Sequence, residues 1–319
     1  MGNLPPARVN PSPPFCHTGV DYAGPIKLRV SPGRGHKSMP GYIVVFVCLS
    51  TKAVHLEVVS SYDSNHFIQA FKRFIARKGL CSHLYSDCGT NFVGANAIFY
   101  DLFSRNSSHV KEIIQHLSSQ GIEWHFNPPG APHFGGLWES AVRSAKFHIK
   151  RVIGDTTLTF EEMTTLLCSI EACMNSRPLC PVTDDPTDVS ALTPGHFLIG
   201  RPMLSLPEES TLNLKVNPSQ RWKLAVKLRD DFWKSWQHQY LNTLHSRGKW
   251  YRQKDNIKEG ALVLIKSENT GPGQWPLARV TKLHPGSDSL VRAVTVKTAT
   301  SEPQRSIVKL IPLPINIDD

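Results

Sequence analysis

No stretch of about 18 consecutive apolar residues occurs in the chain, which excludes a recognisable membrane-spanning helix. The longest strongly apolar run, Tyr42 to Leu49, has the length of a buried strand. The N-terminal segment, Met1 to Pro14, is proline-rich and lacks the apolar centre of a secretory signal. Paired cysteine motifs are missing too. Cysteines stand at 16, 48, 81, 88, 168, 173 and 180, an odd number with no C-x-x-C pair, which argues against both a zinc ribbon and a disulfide framework. They read as mostly buried free thiols. Internal repeats and low-complexity tracts are also absent, so solenoids and disordered linkers are excluded. A soluble intracellular protein is the expectation, with no membrane partner.

What is present is enough for a globular core and a smaller second unit: 319 residues with 40% hydrophobic content. The net charge of +10 is unevenly spread. Residues 1–200 hold 17 Lys and Arg against 15 Asp and Glu, whereas residues 201–319 hold 19 against 11. A basic C-terminal third is the footprint of a polyanion-binding surface, although a merely soluble basic surface carries the same charge.

The pattern along the chain is mixed α/β. Strands are expected at Thr18 to Ala23, Tyr42 to Cys48 and Ala53 to Val59, with a Gly/Pro-rich loop from Arg29 to Pro40. Helical spacing follows at Phe67, Ile68, Phe71, Phe74 and Ile75, with Asp63 as N-cap and Gly79 beyond the end. A strand at His83 to Ser86, helices from about Asn96 and over Ser108 to Gln120, and an extended piece at Glu123 to Asn127 complete a five-stranded mixed sheet flanked by helices. Two more helices follow, one from Gly136 to Ile153 and one opening on the capping box Thr159-Phe-Glu-Glu162. Pro178 to Pro207 reads as a traversing loop. Ala225, Leu228, Phe232, Trp236, Tyr240 and Leu244 then trace one stripe of a long connecting helix. Past Ile257 the period shortens to β-prone segments at Ala261 to Ile265, Leu277 to Leu283, Leu290 to Lys297 and Ser306 to Leu310, the pattern of a small barrel.

Three acidic residues stand at chemically useful places. Asp21 lies in His17-Thr-Gly-Val-Asp-Tyr-Ala-Gly-Pro25 at the expected end of the first strand, where a turn-favouring Asp is the plain alternative. Asp87 ends the fourth strand, and Gly89 lets the chain turn tightly into Thr90-Asn91, whose hydroxyl and amide suit a phosphate or a carboxylate; a helix-capping role is equally compatible. Glu139 opens the helix from Gly136. Arg143, Lys146 and Lys150 recur at +4, +7 and +11 within roughly 40° of it on a helical wheel, so a carboxylate begins a basic row. An ion pair between Glu139 and Arg143 is worth a few tenths of a kcal/mol, about the usual figure, but mutually repelling cations point to phosphate contacts. Glu57, Asp101 and Glu123 lack an adjoining glycine turn or basic row and rank lower. Converging carboxylates suit hard divalent ions, and two such ions about 4 Å apart support phosphoryl transfer.

These residues sit in motifs with a known counterpart. Ser86-Asp-Cys-Gly-Thr-Asn-Phe92, the block from Asn127-Pro to Gly-Gly-Leu-Trp-Glu139, and Asn175-Ser-Arg-Pro178 follow one another as in the integrases of retroviruses and long-terminal-repeat retrotransposons. The chain resembles the Bel/Pao group most closely, and the tail is similar as well, through Arg247-Gly-Lys-Trp250, Leu262-Val-Leu-Ile265 and Trp275-Pro-Leu-Ala-Arg-Val280. The resemblance implies a proline-rich tail at 1–14, a ribonuclease-H-like catalytic core over 15–200, a loop and helical connector at 201–256, and a small β-barrel at 257–319 that binds nucleic acid or chromatin. It also implies that Asp21, Asp87 and Glu139 bind two Mg2+ or Mn2+ ions for 3′-end processing and strand transfer of DNA. The implied partners are double-stranded DNA, both element ends and target, and further copies of the chain, with action in the nucleus. Arg143, Lys146 and Lys150 are the leading DNA-contact candidates, followed by Asn91 and His133. Two departures stand out: nothing before Asp21 offers the paired His and Cys of the family's zinc module, and Gly260-Ala261 replaces a usual Gly-acidic pair. A fragment of a longer polyprotein is therefore expected, and a silent DNA-binding remnant or a plain nuclease of the same fold are the alternative functions.

Overall fold

The computed structural model describes residues 6–31, 37–105, 122–127, 136–183, 185–203, 220–244, 256–267 and 270–314, with backbone alone at 99–105 and 136–142. The chain divides into two compact units, Met1–Glu171 and Ala172–Asp319.

After a single helical turn, α1 (Pro6–Val9), the first unit opens on an antiparallel meander of β1 (His17–Arg29), β2 (Ser38–Cys48) and β3 (Val54–Val59). Helix α2 (Ser64–Lys78) leads to β4 (His83–Ser86), and α3 (Thr90–Arg105) precedes β5 (Glu123–Phe126). The strand order is β3-β2-β1-β4-β5, with β4 parallel to β1 and β5 parallel to β4. Helix α4 (Gly136–Ile153), the two-residue β6 (Leu158–Thr159) against the end of β1, and α5 (Phe160–Asn175) follow. The expected mixed sheet flanked by helices is thus present, and the expected helix over Ser108 to Gln120 lies outside the described residues.

Each face of this sheet has its own helix, for reasons written in the strand alternation. Val20 on β1 pairs with Phe46 on β2, and the Phe46 ring stacks on Phe74 of α2 at 4.3 Å between centroids. Phe67, Phe71 and Phe74 are all buried from that helix. Each contributes about 1.5–3 kcal/mol by leaving water. Asp63 caps α2 by accepting the His66 amide at 2.9 Å, and Gly79 ends it with a positive φ of 88°. The opposite face, carrying Asp21 and Val45, meets α4, whose Ala145, Ile149 and Ile153 are buried.

Strand β1 corrects one expectation. It continues through Gly24-Pro25 to Arg29 instead of ending near Ala23, because the register shifts between Ala23 and Ile26. Proline has no N–H for the ladder, so the pair is absorbed as a bulge, and Ile26 and Leu28 resume the buried alternation. Asp21 is therefore in mid-strand.

The second unit holds the short pair β7 (Cys180–Pro181) and β8 (Ala191–Leu192), then α6 (Pro194–Ile199) and the long α7 (Arg221–Leu244). Strands β9 (Leu262–Ile265), β10 (Leu277–Pro285), β11 (Val291–Lys297), β12 (Gln304–Ser306) and β13 (Leu310–Pro312) form one antiparallel sheet ordered β12-β11-β10-β9-β13. No hydrogen-bonded pair closes it among the described residues, so the expected barrel is an open sheet whose two edge strands are joined by a 3-10 turn, Ile307–Lys309. Alternation in β9 places Val263 in a valine-rich core with Val280, Val294 and Val296, while Leu262 and Leu264 pack with Leu241 of α7.

The motif Asn175-Ser-Arg-Pro178 has a structural role here. Ser176 Oγ accepts the Trp275 indole N–H at 3.0 Å and donates to the Cys173 carbonyl at 2.8 Å. The Arg177 guanidinium donates to the Met174 carbonyl at 2.7 Å, and the Tyr240 hydroxyl donates to the Pro178 carbonyl. Trp233, Trp236 and Tyr240 of α7 surround Trp275 edge-on. All seven cysteines are unpaired, as expected, but only Cys48, Cys81 and Cys173 are buried, while Cys88 and Cys168 are exposed.

Candidate metal centre and nucleic-acid interface

Asp21 and Asp87 come from neighbouring strands. Gly19 of β1 pairs with Tyr85 of β4, the last pair of that parallel ladder, and Asp21 and Asp87 each follow two residues further along their segments. Asp87 leaves the strand in a tight turn, its Oδ1 accepting the Gly89 amide at 3.0 Å. A β-carbon at position 89 would come within 2.7 Å of Asn91 Oδ1 and 3.1 Å of Asp87 Oδ1, so glycine is what lets the turn fold onto the carboxylate. Asp21 Oδ1 accepts the Tyr22 amide at 2.6 Å. The Tyr62 phenol is held above its ordinary range, by burial first and then by the negative charges of Asp87 and Asp21.

The third acid, Glu139, is placed by its backbone in the first turn of α4. Of the basic row on that helix, Arg143 and Lys150 are exposed. Lys146 behaves differently: its Nζ lies 2.6 Å from Asp21 Oδ2, with the two side chains 31% and 26% exposed. That contact spans 125 residues of sequence, and it gives Lys146 a partner that the helical row alone does not reveal. Asn91 falls in the first turn of α3, which starts at Thr90 and not near Asn96. Its side chain is turned inward, 3% exposed, beside the buried Tyr22 phenol. His133 lies outside the described residues.

The donor chemistry around Asp21 and Asp87 fits a hard divalent ion. Both offer carboxylate oxygens, and among the described residues neither belongs to a cluster of three His, Cys, Asp or Glu ligands. A separate nitrogen-rich group, His83, Glu123 and His125, occupies the same sheet face nearer the strands' beginnings. Sequence ranking passed over Glu123; the signal that reveals it is the alternation His83-x-Tyr85 and Glu123-x-His125 on two strands that pair.

The second unit offers a basic cleft between α7 and the sheet. It has a volume of about 1050 Å³ and is lined by Lys234, His238, Lys266 and Lys309 among others. Among the described residues no helix is long and apolar enough to cross a membrane.

Comparison with known proteins adds the following. Residues 220–313, from α7 through the C-terminal sheet, match a family of unknown function (DUF5641). The comparison with curated proteins gives no match. Among solved structures, 99% of the chain aligns with 85% of a chain in the cryo-EM structure of the simian T-cell lymphotropic virus intasome in complex with PP2A regulatory subunit B56 gamma, at 12% identity and a TM-score of 0.39, a likeness too loose to carry an argument.

Proposed function

We propose that this chain is an integrase-type polynucleotidyl transferase, most similar to the Bel/Pao retrotransposon group, acting on double-stranded DNA with two Mg2+ or Mn2+ ions. The observation that carries the reading is that Asp21 on β1 and Asp87, just past β4, follow the paired residues Gly19 and Tyr85 by the same two steps, and that both negative charges act on the Tyr62 phenol. Positions 139 and 146 are seven residues apart and so fall within about 20° on one helical stripe. Lys146 of that stripe reaches Asp21, which supports the reading that Glu139 would contribute to the same site from two turns earlier in the helix. The strand order β3-β2-β1-β4-β5, with a three-stranded meander followed by two parallel strands, supports a ribonuclease-H-like core.

Asp21, Asp87 and Glu139 would hold the ions. When bound, the pair activates the attacking oxygen and stabilises the leaving one in an in-line displacement. The chain's own residues orient the DNA. Arg143 and Lys150, exposed along α4, would neutralise phosphates without reading bases, which makes affinity steeply salt-dependent. The Gly89 amide fixes the Asp87 carboxylate, and Lys146 fixes Asp21 and offsets its charge. The cleft at Lys234, Lys266 and Lys309 of the C-terminal unit would also hold phosphates, and assembly of several copies on DNA in the nucleus belongs to the same proposal.

A second reading has its own observation. The Lys146 ammonium at 2.6 Å gives Asp21 a counter-charge without any ion, as a silent DNA-binding remnant would retain. Strand transfer on labelled end-duplexes, comparing the parent with Asp87→Ala and with chelated metal, separates the readings. Joined product from the parent alone, and only with metal, is expected. Equal product from both proteins overturns the catalytic assignment, binding without product leaves the remnant, and cleavage without joining identifies a plain nuclease.

A further inference from the structure

The same sheet carries a second group of ligand atoms with different chemistry. On the parallel pair β4 and β5, His83 stands opposite Glu123 and Tyr85 opposite His125, so alternation directs His83, Glu123 and His125 to one face. His83 Nδ1 lies 3.1 Å from His125 Nε2 and 3.4 Å from Glu123 Oε2, and His125 Nε2 lies 3.4 Å from Glu123 Oε1. All three ligand atoms fit within 4.8 Å of one another.

These separations have a specific meaning. Zinc bonds of about 2.0–2.1 Å in a tetrahedron set neighbouring ligand atoms about 3.3 Å apart. The 3.1 Å edge between the two nitrogens and the 3.4 Å edge from either nitrogen to its nearer carboxylate oxygen lie close to that figure, and one atom from each residue brings all three within 4.8 Å. The two contacts with Glu123 are long for hydrogen-bonded ion pairs, since 3.4 Å is beyond the usual 2.7–3.2 Å, approximately, of an N–H···O bond. The rings are also held in place: His83 stacks on His17 at 4.4 Å and 3°, and His125 stacks on Tyr85 at 4.7 Å and 13°. The ligand side chains are 26%, 36% and 63% exposed for His83, His125 and Glu123, which leaves a fourth position open to water.

We propose that His83, His125 and Glu123 form a zinc-class site, with two imidazole nitrogens and one carboxylate as ligands and water in the open position. Nitrogen ligands select borderline ions such as Zn2+ over Mg2+, so this site and the all-oxygen Asp21 and Asp87 site sort different metals on one sheet face. His17 and Asp21 are four residues apart on β1, about 13 Å along the strand, which separates the two centres. The bound ion would tie the four-residue β5 to β4 and hold that end of the sheet.

Cobalt(II) reads this directly, because tetrahedral Co2+ absorbs visible light far more strongly than the octahedral ion expected among oxygen ligands. Titration of the full chain with Co2+ should give an intense band saturating at one ion per chain, displaced by Zn2+ and not by Mg2+. Asp87→Asn should keep the band, which makes the outcome independent of any DNA activity. Glu123→Gln, a near-isosteric change of a side chain that is 63% exposed, and His125→Ala should lose it. A parent protein without the band, or a band of equal strength in Glu123→Gln and His125→Ala, overturns the assignment.

Discussion

Replacing His55 by Phe puts the ionic framework of the first unit under a quantitative test. His55 on β3 is 2% exposed and lies between two carboxylates, with Nε2 3.1 Å from Glu57 Oε1 and Nδ1 2.9 Å from Glu171 Oε2. Glu57 also receives Arg73 at 2.6 Å and Arg77 at 3.1 Å, and Glu171 receives the Leu56 amide at 3.1 Å and Lys78 at 3.3 Å. Burial alone would lower the His55 imidazole, but the contacts with Glu171 and Glu57 outweigh it and hold the group above its ordinary range. The folded protein therefore keeps a proton that the unfolded chain releases near pH 6.5. Its contribution is complete below about pH 6.5 and is lost as pH rises through the folded value, at up to about 1.4 kcal/mol per pH unit. Glu57 and Glu171 are depressed against the upward push of burial, so their contribution is present above their unfolded range and is lost on acidification.

Removing one partner of a buried pair costs about 3–5 kcal/mol. Arg73 and Arg77, 35% and 47% exposed, still compensate Glu57 in the variant, so the expected loss is near the lower end, about 3 kcal/mol at pH 6. Urea denaturation followed by far-UV circular dichroism from pH 5.5 to 8.5 measures it. The gap between parent and His55→Phe should narrow as pH rises. A gap that stays constant or widens over that range refutes the protonated bridge.

Other substitutions separate folding from chemistry. Lys146→Met should change stability by less than about 1 kcal/mol, since both partners are partly exposed, while tightening divalent-ion binding in a Mn2+ titration because a competing cation leaves Asp21. Unchanged ion affinity would remove Lys146 from the site. Arg279, 3% exposed, donates to the carbonyls of Asp188, Gly260 and Thr183, so Arg279→Met should cost about 3 kcal/mol in thermal or urea unfolding of the C-terminal unit. Arg143→Ala with Lys150→Ala should weaken DNA binding at every sequence and flatten its salt dependence by about two counterions, with an unchanged slope arguing against phosphate contact.

Much of the fold is legible in the order of residues because its signals are local. The Phe67 to Ile75 spacing, the Asp63 cap and the Thr159 capping box each act within a few residues, and the helices at Ser64–Lys78 and Phe160–Asn175 start where those signals place them. What escaped is non-local. The pairing of Lys146 with Asp21, and of His83 with Glu123, depends on which strands become neighbours in the sheet. Gly24-Pro25 reads as a stop, yet the flanking Ala23 and Ile26 have enough buried partners to carry β1 across it. Asn91 reads as a loop amide, but helix α3 starts at Thr90 and draws its side chain inward. Period-two segments at the C-terminus announce strands without saying whether a sheet closes.

The account depends on Asp21, Asp87 and Glu139 gripping divalent ions together. Mn2+ binding followed by electron paramagnetic resonance, in a His83→Ala/His125→Ala background that removes both nitrogen ligands of the second site, measures this without DNA or turnover. Two ions per chain are expected, with binding abolished by Asp87→Asn while the circular dichroism spectrum is retained. Equal stoichiometry and affinity in the Asp87→Asn protein would contradict the shared site.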